Sequence, residues 1–280
     1  MTGKSSGAAT TSPSLRKAAP GIVLLARAGY AAKGVVYIVM GMLAARVALG
    51  RGGTPTDPRG AVRIIGDGPM GTIALVVIGV GLLGYMAWRI IAAVTDAERT
   101  GNAPTKLLLR VTHAVRGLAY GALGVRAMSE LTANRASNSN QARHWTARLL
   151  DLPFGRLLVM AVGLGVIGYA GYQLYRAASD KVKKHLDLAE AGATQAVWIV
   201  RLGRFGIAAR AVVFAMIGVF LLRAASHRDA GEAGGIARSL AALSAAPYGR
   251  VVLGVVALGL VAYGAYQLGT ARYRHIHAVG

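Results

Sequence analysis

The chain has 280 residues, of which 54% are apolar and only 15% charged, with a mean hydropathy of +0.48. Ordinary soluble domains carry roughly 25% charged residues, so a water-soluble fold is excluded. The absence of cysteine removes disulfides, thiolate catalysis and cysteine-ligated clusters. The net charge of +21 sits at the ends of apolar segments, which points to anionic headgroups rather than nucleic acid.

Residues 1–20 are polar and rich in Ser, Thr and Ala, and read as a disordered N-terminal tail. The apolar run after Pro20 is broken by Arg27 and Lys33, unlike the uninterrupted core of a cleavable signal. Three charge-free stretches follow further on: Gly68 to Trp88 with 21 residues, Leu157 to Tyr175 with 19, and Val251 to Ala271 with 21. Each reaches the ~20 residues that cross a hydrocarbon core. Between them lie shorter apolar cores, Gly34–Ala45, Gly117–Val125 and Ala211–Leu222. With snorkelling of the flanking basic side chains, these extend to spans over 25–50, 107–129 and 198–224. The fold class is therefore all-α integral membrane with six transmembrane helices; the alternative is three true spans with re-entrant odd helices.

The six segments form a pattern written three times. Arg27, Tyr30, Lys33, Gly34, Tyr37 and Gly41 recur as Arg110, His113, Arg116, Gly117, Tyr120 and Gly124. They recur again as Arg204, Ile207, Arg210, Ala211, Phe214 and Gly218. A second block follows each copy. Pro69-x-Gly71 leads to Gly81, Gly84, Tyr85, Trp88 and Arg89, and Pro153-x-Gly155 leads to Gly165, Gly168, Tyr169, Tyr172 and Gln173. Pro247-x-Gly249 leads to Gly259, Ala262, Tyr263, Tyr266 and Gln267. Each proline is expected to open its helix, where a missing N–H costs nothing.

Repetition at fixed period identifies an architecture. Two spans per repeat return the chain to the same side, so the repeats are parallel and related by an axis along the membrane normal. The expected domains are 21–97, 104–179 and 198–273, each a helical hairpin, set around a pseudo-threefold axis. Residues 180–197 form a connection with the spacing of an interfacial helix. Counting helix ends, 19 of the 32 Lys and Arg fall on the side of the termini, which places both termini in the cytoplasm.

On a helical wheel Arg27, Tyr30, Gly34, Tyr37 and Gly41 fall within about 80°, and Lys33 widens the arc to about 120°. Three such faces meeting at the axis would surround an anion with Lys33, Arg116 and Arg210, flanked by Arg27, Arg110 and Arg204. The other reading makes these residues headgroup anchors. No Asp or Glu lies inside any of the proposed spans to neutralise them. The glycines Gly34, Gly41, Gly81, Gly84, Gly117, Gly124, Gly165, Gly168, Gly218 and Gly259 read as helix-packing positions. Tyr30, Tyr37, Tyr85, Trp88, Tyr120, Tyr169, Tyr172, Phe214, Tyr263 and Tyr266 form an aromatic face. His113 is the only histidine in a span, which argues against a metal or haem site. No nucleophile–base pair or phosphate loop is evident, so no cofactor and no catalysis are expected.

The repeated R-x2-Y-x2-K/R-G-x2-Y/F-x3-G pattern, with the endings Gly84–Arg89 and Gly168–Gln173, resembles the bacterial membrane proteins grouped as domain of unknown function 1206. The resemblance covers nearly the whole chain after the tail, and the third copy departs at Ile207, Ala211 and Ala262. It implies three paired-helix repeats in a bacterial plasma membrane and supplies no activity. Mitochondrial carriers also pair helices in three repeats, but their P-x-[DE]-x2-[KR] signature is absent. Two function classes follow: a non-enzymatic protein organising anionic lipid or partner proteins, and a transporter or channel for a small anion along the axis. Protein partners and oligomeric state are not indicated.

Overall fold

The computed structural model describes residues 20–94, 104–132, 141–179 and 192–273. The tail at 1–20 (save Pro20), most of the connection at 180–197 and the side chains of Arg110 and His113 lie outside the described residues. Six long helices carry the fold: α1 (Pro20–Ala48), α3 (Gly71–Val94), α4 (Pro104–Glu130), α6 (Gly155–Ala178), α7 (Ala193–His227) and α9 (Gly249–Tyr273). Three short ones join the long helices of each repeat: α2 (Pro58–Gly66), α5 (Gln141–Leu150) and α8 (Ile236–Ala245). Five of the long helices contain stretches long and apolar enough to cross a membrane: Arg27–Ala48, Gly71–Ile91, Gly155–Ala178, Thr194–His227 and Gly249–Tyr273. The chain is a multi-pass α-helical membrane protein. The sixth long helix, α4, has 27 residues, but Lys106, Arg110, Arg116 and Arg126 make it less apolar than its neighbours.

The order of packing follows from where the chain carries small residues. α3 packs on α4, α6 on α7 and α9 on α1, so the second helix of each repeat lies against the first helix of the next. The three seams use equivalent positions. A Cβ on Gly124 would stand 3.0 Å from Gly79 O, one on Gly218 2.9 Å from Gly163 O, and one on Gly41 2.8 Å from Ala257 O. Real Cβ atoms need more room, so glycine sets how closely these backbones approach. Gly34 and Gly264 face each other in the same way, 2.8 Å from carbonyl oxygen in one direction and 2.6 Å in the other. A Cβ on Gly117 would meet Arg89 Cβ at 2.8 Å.

Within repeats the pairing is uneven. α1 packs on α3 and α7 on α9, but the backbones of α4 and α6 stand apart, and among the described residues they are joined by the side-chain hydrogen bond of Arg116 to Tyr169. The hairpin expected for the middle repeat is therefore open. In the first repeat a Cβ on Gly81 would stand 2.9 Å from Ala28 O, and in the third one on Gly259 would strike Ala209. A Cβ on the equivalent Gly165, or on Gly168 or Gly171 of the same helix, would meet nothing within 4 Å among the described residues. Gly165 and Gly168 are thus not packing positions, contrary to the expectation from sequence. The cause is on the partner helix. Gly29 and Ala32 of α1, and Gly206 and Ala209 of α7, are matched along α4 by Thr112 and Val115, which are larger. Val111 and Val115 are more than half exposed.

The short helices were not foreseen. Asp57 caps α2, its Oδ1 accepting from Gly60 N at 2.9 Å, and Pro58 supplies the first turn. Ala61 and Val62 bury completely against the bundle. α8 buries Ser239, Leu240 and Leu243 in the same way. These helices alter the role of the Pro-x-Gly turns. The long helices begin at Gly71, Gly155 and Gly249, two residues after the proline expected to open them. Glycine is required there because a Cβ would strike the end of the preceding short helix, at Gly66 O, Leu149 O and Ser244 O respectively. In two of the turns the middle residue, Phe154 or Tyr248, adopts positive φ (62° and 57°) and projects its ring outward.

A cationic, tyrosine-lined cavity

The long helices enclose a cavity of about 570 Å³. Its wall is built from repeat-equivalent positions. Lys33, Arg116 and Arg210 all line it, as do Tyr85, Tyr169 and Tyr263, and Arg89, Gln173 and Gln267. The aromatic position four residues beyond each cation, Tyr37, Tyr120 or Phe214, lines it too. Spacing explains the convergence: residues i, i+4 and i+7 share one face of a helix, and the glycine seams turn that face inward.

Lys33 and Arg210 are 6% and 8% exposed and stand near the midpoints of α1 and α7. That burial takes them off the lipid-facing surface, where headgroup anchors would have to lie. Their neighbours are ring faces. Lys33 Nζ lies 4.5 Å from the Tyr120 centroid and 5.4 Å from those of Tyr85 and Tyr263. Arg210 Cζ lies 4.3 Å from Tyr263, 5.2 Å from Phe214 and 5.3 Å from Tyr37. A desolvated cation on a ring face gains about 2 kcal/mol, far less than the hydration it gives up. Arg116 is partly buried and donates to Tyr169 Oη at 2.8 Å. Arg89 donates through Nε to Tyr85 Oη at 3.0 Å and through Nη2 to Tyr30 Oη at 3.1 Å.

The rings themselves hold the repeats together. Tyr37 packs edge-to-face on Tyr263 at 4.8 Å, Tyr120 on Tyr85 at 5.3 Å, and Phe214 on Tyr169 at 5.4 Å. One such pair therefore lies in each of the three seams. Tyr37 and Tyr120 also share a hydroxyl–hydroxyl hydrogen bond of 3.1 Å. Several polar atoms remain over. Among the described residues, Arg210 Nε, Gln173 Oε1 and Gln267 Nε2 are buried without a hydrogen-bond partner.

Three successive stretches, residues 28–96, 111–180 and 205–274, match the family described as Domain of Unknown Function (DUF1206). The chain belongs to this family. It is also 31% identical, over 257 residues, to the uncharacterized protein YxxB of Bacillus subtilis (strain 168), a match covering 92% of this chain and 93% of the relative. No solved structure matches the chain.

The matched DUF1206 stretches contain every cavity-lining cation, Arg59 of α2 included. Six Lys and Arg line the wall, the sixth being Arg176, against a single carboxylate among the described residues, Asp57. That carboxylate is occupied in capping α2. The cavity does not gather all the residues singled out from sequence. Arg27 is exposed, Arg204 is half-buried away from the wall, and Trp88 is buried without lining it. Tyr172 is 43% exposed although its counterparts Trp88 and Tyr266 are buried, because the neighbour that would cover it stands apart. Sequence reasoning placed Arg89, Gln173 and Gln267 in the repeat pattern but gave them no part in the wall. Their shared position, four residues after each tyrosine of the second helix, was the available signal.

Proposed function

We propose that the protein is a non-enzymatic, six-span membrane protein that binds an anionic group in a cavity on a pseudo-threefold axis. Both termini then lie in the cytoplasm of a bacterium whose plasma membrane holds the protein. The observation that carries this reading is Arg210: a buried guanidinium whose described neighbours are rings, with its Nε unsatisfied, facing a cavity that also receives Lys33 and Arg116. Buried charge is retained only where something balances it. A phosphate- or carboxylate-type ligand supplies both the opposite charge and acceptors that arginine grips with parallel N–H bonds. The similar length of α4 and its packing along α3 support a sixth span, and the equivalent seams support the axis.

Native mass spectrometry of the purified protein tests the reading. Wild type should carry a bound anionic species, lipid or soluble. The Lys33→Gln/Arg116→Gln/Arg210→Gln variant should lose it while keeping hydrogen-bonding side chains. Equal retention in both would overturn the proposal.

Passage of a small anion along the axis is the second reading. It is favoured by the extent of the wall, from Arg176 near the end of α6 to Arg59 at the start of α2, toward the opposite end of the bundle. Anion efflux from proteoliposomes, present in wild type and absent in the triple variant, would favour it over static binding.

A further inference from the structure

The opening between α4 and α6 gives the cavity a side entrance. Every other neighbouring pair in the ring of long helices, α4–α3–α1–α9–α7–α6, packs backbone against backbone, whereas α4 and α6 are bridged by the Arg116–Tyr169 hydrogen bond with apolar space beside it. At the open pair the floor is Gly165 and Gly168 with free space above them, and the facing wall is Val115 of α4, 58% exposed. Val115 and Tyr169, on either side of the opening, also line the cavity, so cleft and cavity are continuous. Directly inside lie Arg116, partly exposed, and Gln173, 98% buried with Oε1 unpartnered.

We infer that the ligand is an anionic amphiphile from the bilayer: its headgroup sits in the cationic cavity and its hydrocarbon chain lies in the α4–α6 cleft. This rests on the anion-binding reading above. Charge complementarity selects the headgroup, since six cations line the cavity against Asp57. The cleft selects the tail. It is glycine and aliphatic side chain in a helical face that in the other two repeats is closed by protein. A soluble anion would have no use for an apolar slot. A zwitterionic lipid would bring its own cation into a cavity that already holds an excess of them.

Photo-crosslinking tests the inference. Wild type is placed in nanodiscs of phosphatidylcholine containing a trace of phosphatidylglycerol with a diazirine in its acyl chain, and the labelled peptides are mapped by mass spectrometry. Residues 111–119 of α4 and 164–172 of α6 should be labelled roughly tenfold more by this probe than by diazirine phosphatidylcholine, the ratio expected for ~1.4 kcal/mol of headgroup selectivity. Gly168→Trp should fill the cleft and abolish the labelling. Gly168→Leu, a smaller filling, should reduce it, and melting curves like that of wild type would certify both folds. Equal labelling by the two probes, or labelling unchanged in folded cleft variants, overturns the inference. If wild type also retains a soluble anion that the triple glutamine variant loses, the cavity keeps its role and the amphiphile alone is rejected. If neither anion nor lipid is retained, both readings fall.

Discussion

The guanidinium of Arg210 lies 4.3 Å from the ring centroid of Tyr263, and that same ring packs edge-to-face on Tyr37, 4.8 Å away. One aromatic side chain thus joins the cation of α7 to the first repeat. Arg210 is held by rings that also hold the bundle, and its position in the cavity is fixed by packing before any ligand arrives.

A cation arranged for a ligand costs the empty protein stability. Arg210→Met should therefore raise detergent stability of the ligand-free protein by about 1–4 kcal/mol, the range seen when buried ionic groups are replaced by apolar ones. The same variant should lose its bound anion in native mass spectrometry. Lower stability together with undiminished retention would make Arg210 a structural group only.

The contrast between the seams and the cleft can be read from four glycines. Gly41→Leu and Gly124→Leu place side chains against the Ala257 and Gly79 backbones. Each should cost about 1–3 kcal/mol through overpacking. Gly165→Leu and Gly168→Leu point into open space and should change the melting temperature little. Detergent melting curves for the four variants decide it; a uniform loss would mean that the cleft closes in solution.

Much of this was legible in the chain itself, and the exceptions have physical causes. Lys33, Arg116 and Arg210 share a helical phase with Tyr37, Tyr120 and Phe214, and helical phase is what periodicity reports, so their convergence could be anticipated. Which helices touch could not. Gly79 and Gly81 lie two residues apart, one facing α4 and the other α1, and composition does not say which contact is made. The open middle repeat was written as Thr112 and Val115 in place of Gly29 and Ala32, a change of a few heavy atoms that helical periodicity does not register. α2 and α8 are too short for a periodicity reading, although the Asp57–Pro58 cap marked the start of α2.

The hydroxyl pair of Tyr37 and Tyr120 bridges repeats one and two. Tyr37→Phe and Tyr120→Phe should each cost about 0.5–1.5 kcal/mol. The double variant should cost little more than either single one, because both remove the same hydrogen bond. Additive losses in a double-mutant cycle would show that each hydroxyl has its own separate partner.

The turns into the long helices make a paired prediction. Gly155→Ala should be strongly destabilising, since its Cβ would collide with Leu149 O. Phe154→Gly keeps the left-handed conformation at φ 62° but removes the Cβ that makes it costly, and should stabilise the detergent-solubilised protein by about 1 kcal/mol. Thermal melting of the two variants should move in opposite directions, and movement in the same direction would refute this account of the turn.

Topology is accessible because the native chain offers no thiol. Cysteines at Thr54, His144 and Ser226, all exposed near the short helices, should react with an impermeant maleimide added outside intact cells. A cysteine at Ala178, exposed at the far end of α6, should react only after permeabilisation. Labelling of His144→Cys and Ser226→Cys from different sides would break the parallel arrangement of repeats.

The pairing of α1 with α9 also sets a schedule for biogenesis. The face of α1 carrying Gly34 and Gly41 is made to receive Gly264, Ala257 and Val261, yet roughly 200 residues separate the two helices. At synthesis rates of about 5–20 residues per second, α1 waits on the order of ten to forty seconds for its neighbour. Through that interval its small-residue face is bare to lipid and open to wrong partners. The join of first to third repeat is thus made only once α9 has been synthesised, so chains lacking α9 should be the ones that quality-control proteases find.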